Sequence, residues 1–183
     1  MNLALQYKDT QVLERTEVCC SEFEPSDWDY AQHDWKNKLF LKASVLGLLS
    51  FLVPGAHDKA IARMSMVAKQ AKALPRNGNT LVLTQEVSPF RSELFMEVTG
   101  AIPNQNTTRL NGTFISRVFE GSNNKTSSYI RGLDGYLASL GKMAKKYYFY
   151  YPYCSSCARK HGHHFVVAIA ETKALDPYIA NVR

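Results

Sequence analysis

Between Lys38 and Thr172 the hydrophobic period alternates between the two-residue repeat of a strand and the 3.6-residue repeat of a helix. It does so in an order that occurs twice. Lys38–Val53 is strand-like, with Leu39, Phe40, Leu41, Val45, Leu46 and Phe51 among its apolar residues, and Pro54-Gly55 ends it. A helix is predicted over His57–Leu74, where Ile61, Met64, Val67, Ala68, Ala71 and Leu74 recur at helical spacing. Asp58 in its first turn, and Lys69 and Lys72 near its end, suit the helix dipole. Pro75 and Asn77-Gly78 close it. Thr80–Val87 and Ser92–Gly100 then read as two strands about a turn at Ser88-Pro89. In the second, Leu94, Met96 and Val98 alternate with Glu93, Phe95 and Glu97.

The pattern restarts after the polar stretch Pro103–Thr108. Leu110–Glu120 is a strand, and Thr126–Gly141 a helix with Tyr129, Ile130, Leu133, Tyr136, Leu137 and Leu140 on its apolar side. Gly132 and Gly135 weaken that helix by about 1 kcal/mol each relative to Ala. Lys146–Tyr153 and His163–Thr172 are the closing strands. The fold class is therefore α+β: two consecutive βαββ units, 38–102 and 109–172, forming one antiparallel-rich sheet system with two helices packed on it. Residues 1–37 read as an acidic, aromatic N-terminal extension, 38–176 as a single domain and 177–183 as a tail. A cleft between two related halves is a natural ligand site.

Charge is unevenly distributed along the 183 residues. Residues 1–35 hold eight acidic side chains against Lys8 and Arg15, whereas the chain as a whole carries a net charge of +6. A basic body attracts an acidic ligand, nucleic acid or its own acidic arm, but no nucleic-acid motif accompanies it. Trp28 and Trp35 interrupt the acidic arm, either as plain packing anchors, the favoured reading, or as the docking point of the segment. No apolar run is long enough for a membrane helix, and Met1–Thr10 lacks the pattern of a secretory signal, so the expected location is the cytoplasm. In that compartment Cys19, Cys20, Cys154 and Cys157 are not read as a disulfide scaffold.

Three groups of residues could carry chemistry. Cys154-Ser155-Ser156-Cys157 can aim two thiolates at one zinc ion, and His161 with either His163 or His164 could complete a tetrahedral set. Only one of the adjacent histidines can face the same centre if both lie on a strand. The metal candidates are thus Cys154, Cys157, His161 and His164, with zinc the one candidate cofactor. The second group is aromatic: alternation places Tyr148 and Tyr150 on one face of their strand and Tyr147, Phe149, Tyr151 and Tyr153 on the other. The third comprises Glu86, Glu93, Glu97, Glu120 and Glu171, any of which could neutralise a cation or act as a base. The nucleophile-elbow, phosphate-loop and His-Glu-x-x-His motifs are absent, and His33 and His57 stand alone.

Leu110-Asn111-Gly112-Thr113-Phe114, then Phe119-Glu120-Gly121 and a helix containing Tyr136, resemble the GyrI-like small-molecule-binding domains, which are related to the SOUL haem-binding proteins. The resemblance covers residues 38–172. It implies a cleft for apolar or cationic compounds, lined by aromatic side chains and a glutamate; some relatives are hydrolases. The chain departs from the pattern in having no acidic residue in its last strand before Glu171, and in its Cys-x-x-Cys segment. The leading functional reading is a non-catalytic small-molecule binder, with Glu120, Glu97, Tyr148, Tyr150 and Trp35 as ligand residues. The alternatives are a hydrolase on the same scaffold, through Glu120 or Tyr148, and a zinc-stapled interaction module with a basic surface. The expected partner is a small molecule rather than a membrane or nucleic acid. No oligomeric state is implied.

Overall fold

A computed structural model of the chain describes residues 20, 22–46, 55–76, 80–122 and 125–174. The end of the first expected strand (47–53), Cys19, Asn77-Gly78 and the tail lie outside the described residues. A single 3-10 turn at Pro25–Asp27 precedes β1 (Ala31–Leu46). Then follow α1 (Ala56–Gln70), β2 (Val82–Ser88), β3 (Arg91–Glu97), β4 (Thr107–Glu120) and α2 (Thr126–Ser139). β5 (Lys142–Tyr150), α3 (Ser155–His161) and β6 (Phe165–Ala174) complete the order. The βαββ order recurs as expected, with α3 inserted between the last two strands.

All six strands join antiparallel neighbours in the order β1-β3-β2-β5-β6-β4, and the sheet closes on itself. The long β1 is the joint between halves. It pairs with β3 from Phe40 to Leu46 and with β4 from Ala31 to Leu41. Closure at the opposite seam is short: in β2 and β5, Leu83 faces Tyr150 and Thr84 faces Phe149.

Strand alternation sorts the apolar side chains into three layers. Leu41, Val45, Leu94 and Met96 point outward against Met64 and Ala68 of α1. Ile115, Phe149, Val166, Ala168 and Ala170 point outward against Tyr129, Leu133 and Leu137 of α2. Their neighbours Phe40, Phe95, Phe114, Tyr148, Val167 and Ile169 face inward and form the third layer. Each helix covers the outside of its own half, and the two halves share the inside.

Three local differences from the sequence reading have physical causes. β1 starts at Ala31, ahead of the expected Lys38. In its first half Gln32, Asp34, Lys36 and Asn37 are exposed, so this half of the strand looks polar in sequence. Its register shifts between Trp35 and Lys38, where Asn37 takes a positive φ of 55°. The segment after Cys154, expected as a loop, forms α3, and the returning strand begins at Phe165 rather than His163. Tyr153, beyond the end of β5, leaves the alternation and joins the inner cluster with Tyr148 and Tyr150. Of the two glycines expected to weaken α2, Gly132 has a packing role, since a Cβ there would lie 2.9 Å from the Phe119 ring, whereas one on Gly135 would meet nothing within 4 Å. No helix among the described residues is long and apolar enough to cross a membrane.

Leu133 is fully buried beneath α2, whereas Leu140 at the end of that helix is 44% exposed. Leu133→Ala should therefore cost about 2–5 kcal/mol of unfolding free energy. Leu140→Ala should stay within about 0.5 kcal/mol. Denaturant midpoints of the two variants check the layer assignment.

Candidate functional site

The inner face changes character along its length. Around Phe40, Phe95, Phe114 and Tyr148 it is aromatic, and these rings meet edge-on or tilted at 5.6–6.5 Å between centroids. Toward one mouth of the barrel the lining becomes charged around a cavity of about 310 Å³ that is open to solvent. Lys42 of β1, Glu93 of β3, Arg109 of β4, Lys146 and Tyr148 of β5 and Glu171 of β6 line it, with Phe95 at its wall. The alternation that buries Phe95 also turns Glu93 inward. In β6, Glu171 lies two residues beyond the inward Ile169 and opposite Phe114.

The two carboxylates differ in how fully they are neutralised. Both oxygens of the buried Glu93 are engaged, one by Lys42 Nζ at 2.8 Å and the other by Arg91 Nη2 at 2.8 Å. The hydrogen bond from Lys42, aided by the charges of Lys42 and Arg91, holds the Glu93 carboxyl below its ordinary range. Glu171 meets Lys145 Nζ at 3.4 Å, through one oxygen. Tyr148 sits between these groups. Burial, and then the charges of Glu171 and Glu93, push its phenol up to about 12. At neutral pH it is a protonated donor inside the site.

The residues chosen from sequence are distributed more widely. Tyr148 lines the cavity. Glu97 pairs with Lys38 at 2.7 Å. Glu120 is exposed at the end of β4 and lies 2.8 Å from His163 Nδ1. Tyr150 faces inward beside Trp28, at 5.2 Å between centroids. Trp35 packs on Phe114 at 4.1 Å. Sequence reasoning grouped Glu93 and Glu171 with the other strand carboxylates and did not single them out. The signal that could have found them was parity: each is an even number of residues from an inward aromatic or aliphatic side chain on its strand.

The segment leading into β1 covers the remainder of the inner face. Phe23 is buried against Tyr150, Tyr153 and Phe165, and its amide donates to the Tyr153 hydroxyl at 3.2 Å. Trp28 packs over Tyr150 and His33. Its carbonyl accepts a 2.6 Å hydrogen bond from the fully buried Ser116 hydroxyl. His33, which stood alone in the sequence, lies with Nε2 2.8 Å from Ser116 Oγ. Burial, with help from Lys38, lowers its pKa. Because the Ser116 proton points to Trp28, His33 is the donor to Ser116, and the pair is not arranged as a nucleophile with its base.

The same segment alters the expected metal set. Cys20, Cys154 and Cys157 present sulfurs within 4.8 Å of one another, a grouping that can hold a metal ion. Of the expected histidines, His161 stacks on Tyr153 at 4.6 Å. His164 is exposed, and its carbonyl accepts from the Gly121 amide. The third thiol from the N-terminal segment had no local signal in the sequence.

A family model described as bacterial hydrolase matches residues 10–172. No curated protein matches the chain. Solved structures share its fold at low identity. The EcmrR C-terminal domain is 9% identical, with a TM-score of 0.60 over 79% of this chain and 97% of that one. An uncharacterized conserved protein from Listeria innocua is 9% identical, with a TM-score of 0.57 over 80% and 94%. SAV2435, in a structure with bound tetraphenylphosphonium, is 10% identical, with a TM-score of 0.50 over 79% and 94%. The fold is thus the GyrI-like one expected from the glycine-punctuated strand and the doubled element order.

Glu93 supplies a pH test of this electrostatic arrangement. Its folded pKa lies below the unfolded value. The stabilisation is therefore present above the ordinary carboxylate range, about pH 4, and is lost as pH falls through the folded pKa. Glu93→Gln should destabilise the protein at pH 7, and the gap from wild type should narrow below about pH 4. Denaturant midpoints measured from pH 3 to pH 7 check the sign.

Proposed function

The chain belongs to the bacterial hydrolase family, and from the groups that line its cavity we propose that it takes a compact cationic small molecule at the barrel mouth. The observation that carries this reading is the inequality of the two cavity carboxylates. Glu93 has both oxygens committed, whereas Glu171 meets one lysine through a single oxygen. Glu171 is thus the group available as a counter-charge, and Tyr148 is the adjacent neutral donor. Phe95 supplies an aromatic wall for the apolar part of such a molecule. Lys146, opposite Glu171 on the neighbouring strand, offers a cation for a polar group of such a molecule. The volume, about 310 Å³, suits a small ligand. A solved structure of the same fold, SAV2435, carries the cation tetraphenylphosphonium, which supports the ligand class.

Calorimetric titration with benzyltrimethylammonium as the probe should show binding to the wild-type chain. Glu171→Gln should weaken it at least about tenfold, equivalent to about 1.4 kcal/mol. Glu97→Gln, outside the cavity lining, should leave it unchanged. Equal affinity in wild type and Glu171→Gln would remove the assignment.

Hydrolysis of the bound molecule in the same cavity is the second reading, favoured by the description of the family. There Glu171 would activate water as a general base, and Tyr148, protonated at neutral pH, would donate to the leaving group. This transfers the role first considered for Glu120 to a carboxylate that faces the cavity. Against a panel of chromogenic esters and amides, Glu171→Gln and Tyr148→Phe should each lower any turnover by about a hundredfold or more. Glu120→Gln should not. Turnover insensitive to both cavity substitutions would exclude this chemistry.

A further inference from the structure

We propose that Cys20, Cys154 and Cys157 form a three-thiolate site for a soft divalent cation, zinc first, and that the ion latches the N-terminal segment across the inner face of the barrel. The three sulfurs lie within 4.8 Å of one another. A tetrahedral zinc ion with Zn–S bonds near 2.3 Å needs them about 3.8 Å apart. Small side-chain rotations therefore close the set. Thiolate donors select zinc over the hard cations calcium and magnesium.

The placement of the thiols gives the ion a mechanical role. Cys154 and Cys157 lie one turn apart at the start of α3, whereas Cys20 is 134 residues away from Cys154 in sequence. The Cys154 amide donates to Cys20 Sγ at 3.3 Å, so the N-terminal thiol is already oriented toward α3. Immediately after Cys20 come Phe23, buried against Tyr150, Tyr153 and Phe165, and Trp28, whose carbonyl accepts from Ser116. An ion holding all three sulfurs ties those two side chains over the aromatic part of the inner face. Arg159 and Lys160 in the same helix add positive charge against the excess negative charge of three thiolates on a divalent ion. Three protein ligands leave the fourth tetrahedral position to solvent or an added thiol. Cys157 is buried and shielded from that exchange, while Cys20 and Cys154 are partly exposed and give the ion a route in.

Titration of the full, reduced chain with zinc against a competing chromogenic chelator tests the site without any organic ligand. It can therefore fail or succeed independently of the cavity reading. One equivalent should bind. Both Cys154→Ser and the double variant Cys19→Ser/Cys20→Ser, in which a neighbouring thiol cannot substitute, should weaken binding at least a hundredfold. These positions are used because Cys20 and Cys154 are partly exposed, and an unchanged far-ultraviolet dichroism spectrum confirms that each variant folds. Zinc should also slow hydrogen exchange at the Phe23 amide at least tenfold in the wild-type chain and leave it unchanged in Cys154→Ser. Failure to bind zinc overturns the site. So does undiminished binding in the double variant, which would assign the ion to α3 and its histidines alone. Binding with no change in exchange at Phe23 overturns the latch.

Discussion

A sheet that closes on itself has one face that no helix can reach, and the structure of this protein follows from how that face is filled. α1 and α2 bury the outer surfaces of their respective halves. The inner surface has to be covered by its own side chains and by whatever enters from the ends. Large rings do most of this: Phe40, Phe95, Phe114 and Tyr148 are all nearly inaccessible to solvent. Closure itself rests on a short seam between β2 and β5, so the inner aromatic layer, rather than a long hydrogen-bonded ladder, ties the two halves at that side.

The segment Phe23–Trp28 completes the filling at one end, and the charged cavity remains at the other. β6 connects the two. Phe165 at its start touches Phe23, the inward Val167 and Ile169 follow, and Glu171 reaches the cavity about 20 Å along an extended strand. The same inner face thus carries an apolar, plugged region beside the thiols and a polar, open region beside Glu93 and Glu171. Buried charge is tolerated in the open region because each carboxylate has a cationic neighbour within 3.4 Å.

The doubled order of elements was legible because hydrophobic period is a local property. The stretch around Leu94, Met96 and Val98 reads as a strand in any context, although closure buries both of its faces rather than one, and the alternation of Tyr148 and Tyr150 against Tyr147 and Phe149 follows from the pleat. Two local readings were displaced by tertiary contacts. The polar residues of Ala31–Asn37 concealed a strand whose pairing partner, β4, lies far along the chain. The Cys-x-x-Cys segment was legible as a thiol pair but not as the start of a helix, since its own residues carry a weak helical signal.

Sequence alone determined the main strand alternation, where α1 and α2 fall and that two βαββ units would share a core. It also picked out Tyr148, Cys154 and Cys157. Tertiary structure decided which strand face is the inside, that Glu171 rather than Glu120 meets a cavity, that His33 finds Ser116, and that Cys20 joins the thiol pair from across the chain. The physical reason is the range of the interactions. Periodicity and turn chemistry act over a few residues, whereas the closing of a six-stranded sheet brings together atoms whose separation in sequence exceeds any local pattern.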